Sequence, residues 1–113
     1  MITLYHNPRC SKSRQCDVFL QDIDKEVKVI NYMKEPFTIS SLSALLKKLA
    51  IKPIELVRKN EKEWKELYKG KNLTDEEIIK AMVAHPKLIQ RPIVVNGDKA
   101  VVCRPLEEVN KVL

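Results

Sequence analysis

Glycine is nearly missing from this chain, with only Gly70 and Gly97 among 113 residues. A Gly-rich loop that wraps phosphates is therefore excluded, as are collagen-like repeats. Cysteine is sparse and odd in number, three in all, so the chain carries no disulfide framework. No Cys or His cluster has zinc-ligand spacing, and no metal is expected. No apolar run approaches a membrane span, and the first residues lack the apolar core and cleavage site of a signal peptide. The expected location is the cytoplasm, where thiols stay reduced. The few aromatic residues do not alternate with the basic ones as a stacking platform would need. The net charge of +6 thus points to a small anion or an acidic partner before nucleic acid.

Two further motifs are missing. Ser13 stands where a Cys-x-x-Cys would place its second thiol after Cys10, so a local dithiol mechanism is unavailable. Cys16 occupies the sixth position after Cys10, where the loop of low-molecular-weight phosphatases carries arginine. Any second thiol must come from outside.

What is present centres on His6-Asn7-Pro8-Arg9-Cys10-Ser11-Lys12-Ser13-Arg14. Residues 1–5 alternate as a strand and Asn7-Pro8 breaks it. Ser11 to Gln21 has no Gly or Pro, and Cys16, Phe19, Leu20 and Ile23 recur on one helical face. Cys10 is therefore predicted at or just before a helix N-terminus. Free N–H groups and the positive dipole end favour a thiolate there, and also attract oxyanions. Arg9, Lys12 and Arg14 add positive charge and argue for a cysteine that is not buried.

Val27 to Tyr32 is rich in β-branched residues and forms a second strand, giving a βαβ unit with Cys10 at the carboxyl end of the first strand. The middle of the chain is helical. Leu42, Leu45, Leu46 and Leu49 follow the N-cap candidates Thr38 to Ser41, and Pro53 opens a short piece. Trp64, Leu67 and Tyr68 share one side of the next helix, and Thr74 to Glu77 forms a capping box before Ile78, Ile79, Met82 and Val83. His85-Pro86 ends that helix. Two β-branched runs then flank the turn signal Asn96-Gly97, and Pro105 opens a last helix. The order predicts one α/β domain over residues 1–113. Its four-stranded mixed sheet, β-α-β then β-β-α, is thioredoxin-like, with a helical insertion at about 38–86.

Three more arginines stand where the chain turns: Arg58, Arg91 before Pro92, and Arg104 before Pro105. Arginine presents a fork suited to tetrahedral oxyanions. His6 either stabilises the thiolate or orients the loop, or is a structural histidine hydrogen-bonded to a backbone carbonyl. Cys16 is expected in the core and Cys103 is expected to face away from Arg104, and neither reads as a disulfide partner.

Taken together, His6-Asn7-Pro8-Arg9-Cys10-x-x-Ser13-Arg14, Leu56-Val57-Arg58-Lys59-Asn60, His85-Pro86, Gln90-Arg91-Pro92-Ile93-Val94-Val95 and Cys103-Arg104-Pro105 resemble the glutaredoxin-linked arsenate reductase family. The resemblance runs essentially the whole chain. It implies a thioredoxin-like fold in which Cys10 attacks arsenate and Arg58, Arg91 and Arg104 surround the oxyanion. His6, Ser13 and Arg14 would support the loop, and Pro92 would follow a cis peptide facing the cysteine. Glutathione would serve as co-substrate with no tightly bound cofactor, and glutaredoxin would complete the reduction. Two alternatives accompany it: a thiol reductase of another substrate, or a regulatory adaptor that binds RNA polymerase. The adaptor's switch uses a local Cys-x-x-Cys, which Ser13 removes.

Overall fold

Alternation along the first strand decides which side chains enter the core. In the computed structural model, which describes residues 1–113, β1 spans Ile2–His6 with Ile2, Leu4 and His6 buried and Thr3 and Tyr5 half-buried. Helix α1 (Ser11–Gln21) crosses over to β2 (Val27–Asn31), which pairs parallel to β1 from Ile2↔Val27 to His6↔Asn31. β3 (Ile93–Asn96) lies antiparallel on the other side of β1, and β4 (Lys99–Val102) is antiparallel to β3. The sheet order is β2-β1-β3-β4, which is the expected thioredoxin-like mixed sheet.

Two compact units make up the chain. Met1–Glu35 with Arg91–Leu113 forms one, and Pro36–Gln90 forms the other. In the sheet unit, Ile2, Leu4 and Val94 meet Cys16 and Leu20 of α1 and Cys103, Val109 and Val112, with Phe19, Ile23, Leu106 and Leu113 packed at the edge of that core. The apolar faces expected for the first and last helices are thus both used. The closing helix, however, is a 3-10 helix over Leu106–Lys111. Glu108 N–H donates to the Pro105 carbonyl and Val112 N–H to the Val109 carbonyl, the tighter i to i+3 pattern usual in so short a piece. The hairpin turn also sits one residue later than Asn96-Gly97 suggests. Asn96 pairs with Lys99, so Gly97-Asp98 turn the chain, and Gly97 alone takes positive φ (63°), the type II′ pattern.

In the helical unit, α2 (Ile39–Leu49) buries Leu42, Leu45 and Leu46 and is capped by Thr38, whose side chain exchanges hydrogen bonds with Ser41. A 3-10 turn at Pro53–Leu56, α3 (Lys62–Leu67), α4 (Asp75–Ala84) and a second 3-10 turn at Pro86–Leu88 complete it. The predicted capping box is present: Thr74 Oγ1 accepts from Glu77 N–H, and Glu77 Oε1 accepts from Thr74 N–H. The apolar face of α3 is narrower than its spacing suggests. The helix ends at Leu67, so Tyr68 leaves helical geometry to stack tilted on buried Trp64 at 5.5 Å, and Leu67 stays exposed.

Candidate active site

Strand β1 stops at His6 and α1 starts at Ser11, which leaves four residues to turn the chain at the carboxyl end of the strand. Asn7 makes the turn. Its Oδ1 accepts from Arg9 N–H at 3.0 Å, and its carbonyl accepts from Cys10 N–H at 3.0 Å. Ser13, fully buried one turn into α1, reaches back: its Oγ accepts from Asn7 N–H at 2.9 Å and lies 2.6 Å from His6 Nδ1. The hydroxyl can accept from Asn7 N–H and still either donate to or accept from His6 Nδ1, so it links the two residues in either imidazole tautomer. His6 therefore orients the loop through a serine hydroxyl and not through the backbone carbonyl considered from the sequence. Arg14 Nη1 donates to the Pro8 carbonyl at 2.9 Å and fastens the outer side of the same loop.

Cys10 is the N-cap of α1, as its place before the helix-forming run predicts. It is 9% exposed, which corrects the inference drawn from its charged neighbours. Arg9, Lys12 and Arg14 are themselves exposed, so their charge is solvated while the cysteine turns inward. Burial pushes the Cys10 thiol up, but the Ser13 amide, the Arg91 guanidinium and the Lys12 amide together outweigh it, and the thiol lies below its ordinary value. Amides at a helix start and a nearby cation are what favour a thiolate.

Sheet register brings Arg91 there. β3 runs antiparallel to β1 with Tyr5 opposite Ile93, so the chain just before β3 lies beside the chain just after β1. The Arg91-Pro92 peptide is cis, Pro92 is buried, and its carbonyl accepts from Cys103 N–H at 2.9 Å. Held by this anchor, the Arg91 guanidinium lies near enough to the Cys10 sulfur to lower its thiol. Its Nε and Nη1 are buried and have no protein partner. Buried donors are nearly always satisfied, so two orphaned ones beside a thiol can receive an anionic group.

The other two arginines are placed differently. Arg104 is exposed beyond β4, with its N–H on the Val102 carbonyl at 3.0 Å and a cis peptide to Pro105. Arg58 belongs to the helical unit, where its N–H donates to the Leu88 carbonyl at 2.6 Å and Nη1 pairs with Glu61 Oε1 at 2.7 Å. Sequence spacing singled out neither Asn7 nor Glu61. The signals were an Asn-Pro step closing a strand and an acid three residues after an arginine. No group of three or more His, Cys, Asp or Glu is placed to hold a metal.

The ArsC family model matches residues 5–112. An Escherichia coli protein named uncharacterized protein YfgD is 41% identical over 99% of this chain and 96% of its own. The arsenate reductase of Haemophilus influenzae is 36% identical over 99% and 98%. The solved arsenate reductase from Vibrio cholerae has a TM-score of 0.94 at 37% identity, covering 99% of this chain and 97% of that one.

Proposed function

This chain belongs to the ArsC family, and on that premise we propose that it reduces arsenate to arsenite with Cys10 as the nucleophile. The observation that carries the proposal is the Arg91 guanidinium, which lies beside the Cys10 thiol and lowers it while two of its buried donors have no protein partner. One planar cation can therefore favour the thiolate and fork onto an oxyanion at the same time. Arg58 and Arg104 take the oxyanion-binding role that the resemblance gives them.

In the proposed cycle the Cys10 thiolate attacks arsenic, an As–S bond forms, and one arsenate oxygen leaves as water. Charge on the remaining oxygens is met by the Arg91 guanidinium, already beside the sulfur before reaction. Because Ser13 replaces a local second thiol, glutathione supplies it and displaces a further oxygen. Glutaredoxin then attacks the glutathione sulfur. The electron pair of the breaking As–S bond stays on arsenic, which passes from five- to three-valent, and hydrolysis at Cys10 frees arsenite. Glutathione is thus a co-substrate and not a bound cofactor, and the cytoplasm is the compartment that supplies it reduced. No helix is long and apolar enough to cross a membrane.

The test is arsenate-dependent NADPH consumption with glutathione, glutaredoxin and glutathione reductase in excess, with arsenite measured directly and Cys10→Ser run alongside. Turnover that needs arsenate, glutathione and Cys10 together is expected. Absence of turnover from a folded protein whose Cys10 alkylates at neutral pH would overturn the arsenate assignment in favour of another oxyanion or of the adaptor role.

A further inference from the structure

The proposed cycle leaves two thiols unused, and the fold puts them side by side. Cys16 lies on the inner face of α1 and is wholly buried; Cys103 follows β4 and is 2% exposed. Both belong to the one core cluster beneath the sheet, among Ile2, Leu4, Leu20 and Val94. Two backbone constraints aim Cys103 there. Its N–H continues the β3–β4 pairing onto the Pro92 carbonyl, and strand alternation sends Arg104 outward and Cys103 inward. The Cys103 thiol, whose Sγ donates weakly to the Val101 carbonyl at 4.0 Å, then lies with Cys16 in that same core. Spacing alone does not pair them, since one lies near each end of the chain and only the folded sheet brings the ends together.

We infer that Cys16 and Cys103 form a redox-modification site of their own, which a peroxide converts to an intramolecular disulfide independently of Cys10. The neighbouring Cys16 and then burial push the Cys103 thiol up, which leaves Cys16 as the attacking sulfur. The Cys16 sulfur attacks one peroxide oxygen; an S–O bond forms, the O–O bond breaks, and the leaving hydroxide takes up a proton as water. Cys103 then attacks the Cys16 sulfur, an S–S bond replaces S–O, and the departing hydroxide accepts the Cys103 proton. Two electrons leave the thiol pair, and one peroxide becomes two waters. Both thiols are closed to bulky reagents in the folded core, and a small peroxide reaches them through local opening. Once formed, the disulfide ties the helix capped by Cys10 to the residue next to Arg104, joining two distant parts of the chain.

The experiment uses the full chain carrying Cys10→Ser, so that the other two thiols are read alone. After hydrogen peroxide treatment, both in the cold and just below the unfolding midpoint, remaining thiols are alkylated in denaturant and the digest is analysed without reduction. The expected result is a monomer that drops from two alkylatable thiols to none and yields a linked Cys16–Cys103 peptide. Dithiothreitol should restore both thiols, and the oxidised protein should unfold at higher temperature. Cys16→Ala and Cys103→Ala, whose small side chains fit the site, should each lose the linked peptide. Two thiols persisting at both temperatures, independent sulfinic acids on each cysteine, or linkage only between chains would each overturn the inference.

Discussion

Replacing Arg91 with alanine separates what this residue does for the oxyanion from what it does for the thiol and for the fold. Nε and Nη1 are two donors with no protein partner, and hydrogen bonds to charged groups contribute about 1.5–3 kcal/mol each. Losing both from the bound state removes roughly 3–6 kcal/mol. At about 1.4 kcal/mol per tenfold, kcat/KM for arsenate should fall roughly 10²- to 10⁴-fold. Lysine restores the charge but offers no fork, so Arg91→Lys should recover only part of that loss. The unliganded fold should behave in the opposite way. A buried donor left unpaired costs about 1–3 kcal/mol, so removing two of them should leave the unfolding midpoint unchanged or raised.

The thiol supplies the internal control. Arg91 is one of the groups that lowers Cys10, so Arg91→Ala should move the midpoint of the Cys10 alkylation rate against pH upward. Alkylation then slows at neutral pH and matches wild type well above the thiol range. Arsenate turnover measured at that high pH isolates the oxyanion contribution. A kcat/KM within threefold of wild type there would refute the assignment of the two orphaned donors to the oxyanion. So would a loss of activity accompanied by a comparable loss of stability, because the residue would then be structural.

Three other perturbations follow from the same geometry. Glu61→Gln removes the carboxylate that pairs with Arg58 at 2.7 Å; an ion pair of this partly exposed kind is worth up to about 1 kcal/mol, so denaturant unfolding should show a loss no larger than that. Ser13→Ala deletes the buried hydroxyl that joins Asn7 to His6, and denaturant unfolding should show a loss of about 1–3 kcal/mol with slower Cys10 alkylation. The lowered Cys10 thiol also makes stability depend on pH. A group depressed in the folded state stabilises fully above its unfolded value, about 8.5 for a free thiol, and loses that contribution as pH falls through the folded value. The stability gap between wild type and Cys10→Ser should therefore shrink with falling pH across that window, as read by urea titrations at a series of pH values.

Local elements of this protein could be read from the sequence because each carries its own signal. Ser11 to Gln21 is a helix by apolar spacing and by its lack of breakers, and it forms with those bounds. Thr74 and Glu77 cap α4 through groups three residues apart. What escaped prediction depends on partners far away in the chain. The burial of Cys10 is one example, since charged neighbours describe the surface of a loop and say nothing of the guanidinium that arrives from residue 91. The pairing of Arg58 with Glu61 is another, because several acids and bases alternate along that stretch and local spacing does not choose among them.

The decisive step for the site is the register of β3, and that strand does not specify it alone. Ile93, Val94 and Val95 are all buried, so the strand lacks the alternation that normally penalises a one-residue slip. Its partners supply the constraint. β1 alternates between core and half-buried positions, the two-residue turn fixes β4 on β3, and Asn96 Nδ2 donates to the Val112 carbonyl at 2.7 Å. Slipping β3 by one residue would break that bond and turn Val94 out of the core cluster. It would also shift Arg91 by about 3.3 Å along the sheet, beyond reach of a sulfur held by the α1 N-terminus. Cys10 and the Arg91 guanidinium thus meet because the core and an asparagine at the far end of the strand agree on one register, an agreement that no window of sequence around Cys10 or Arg91 contains.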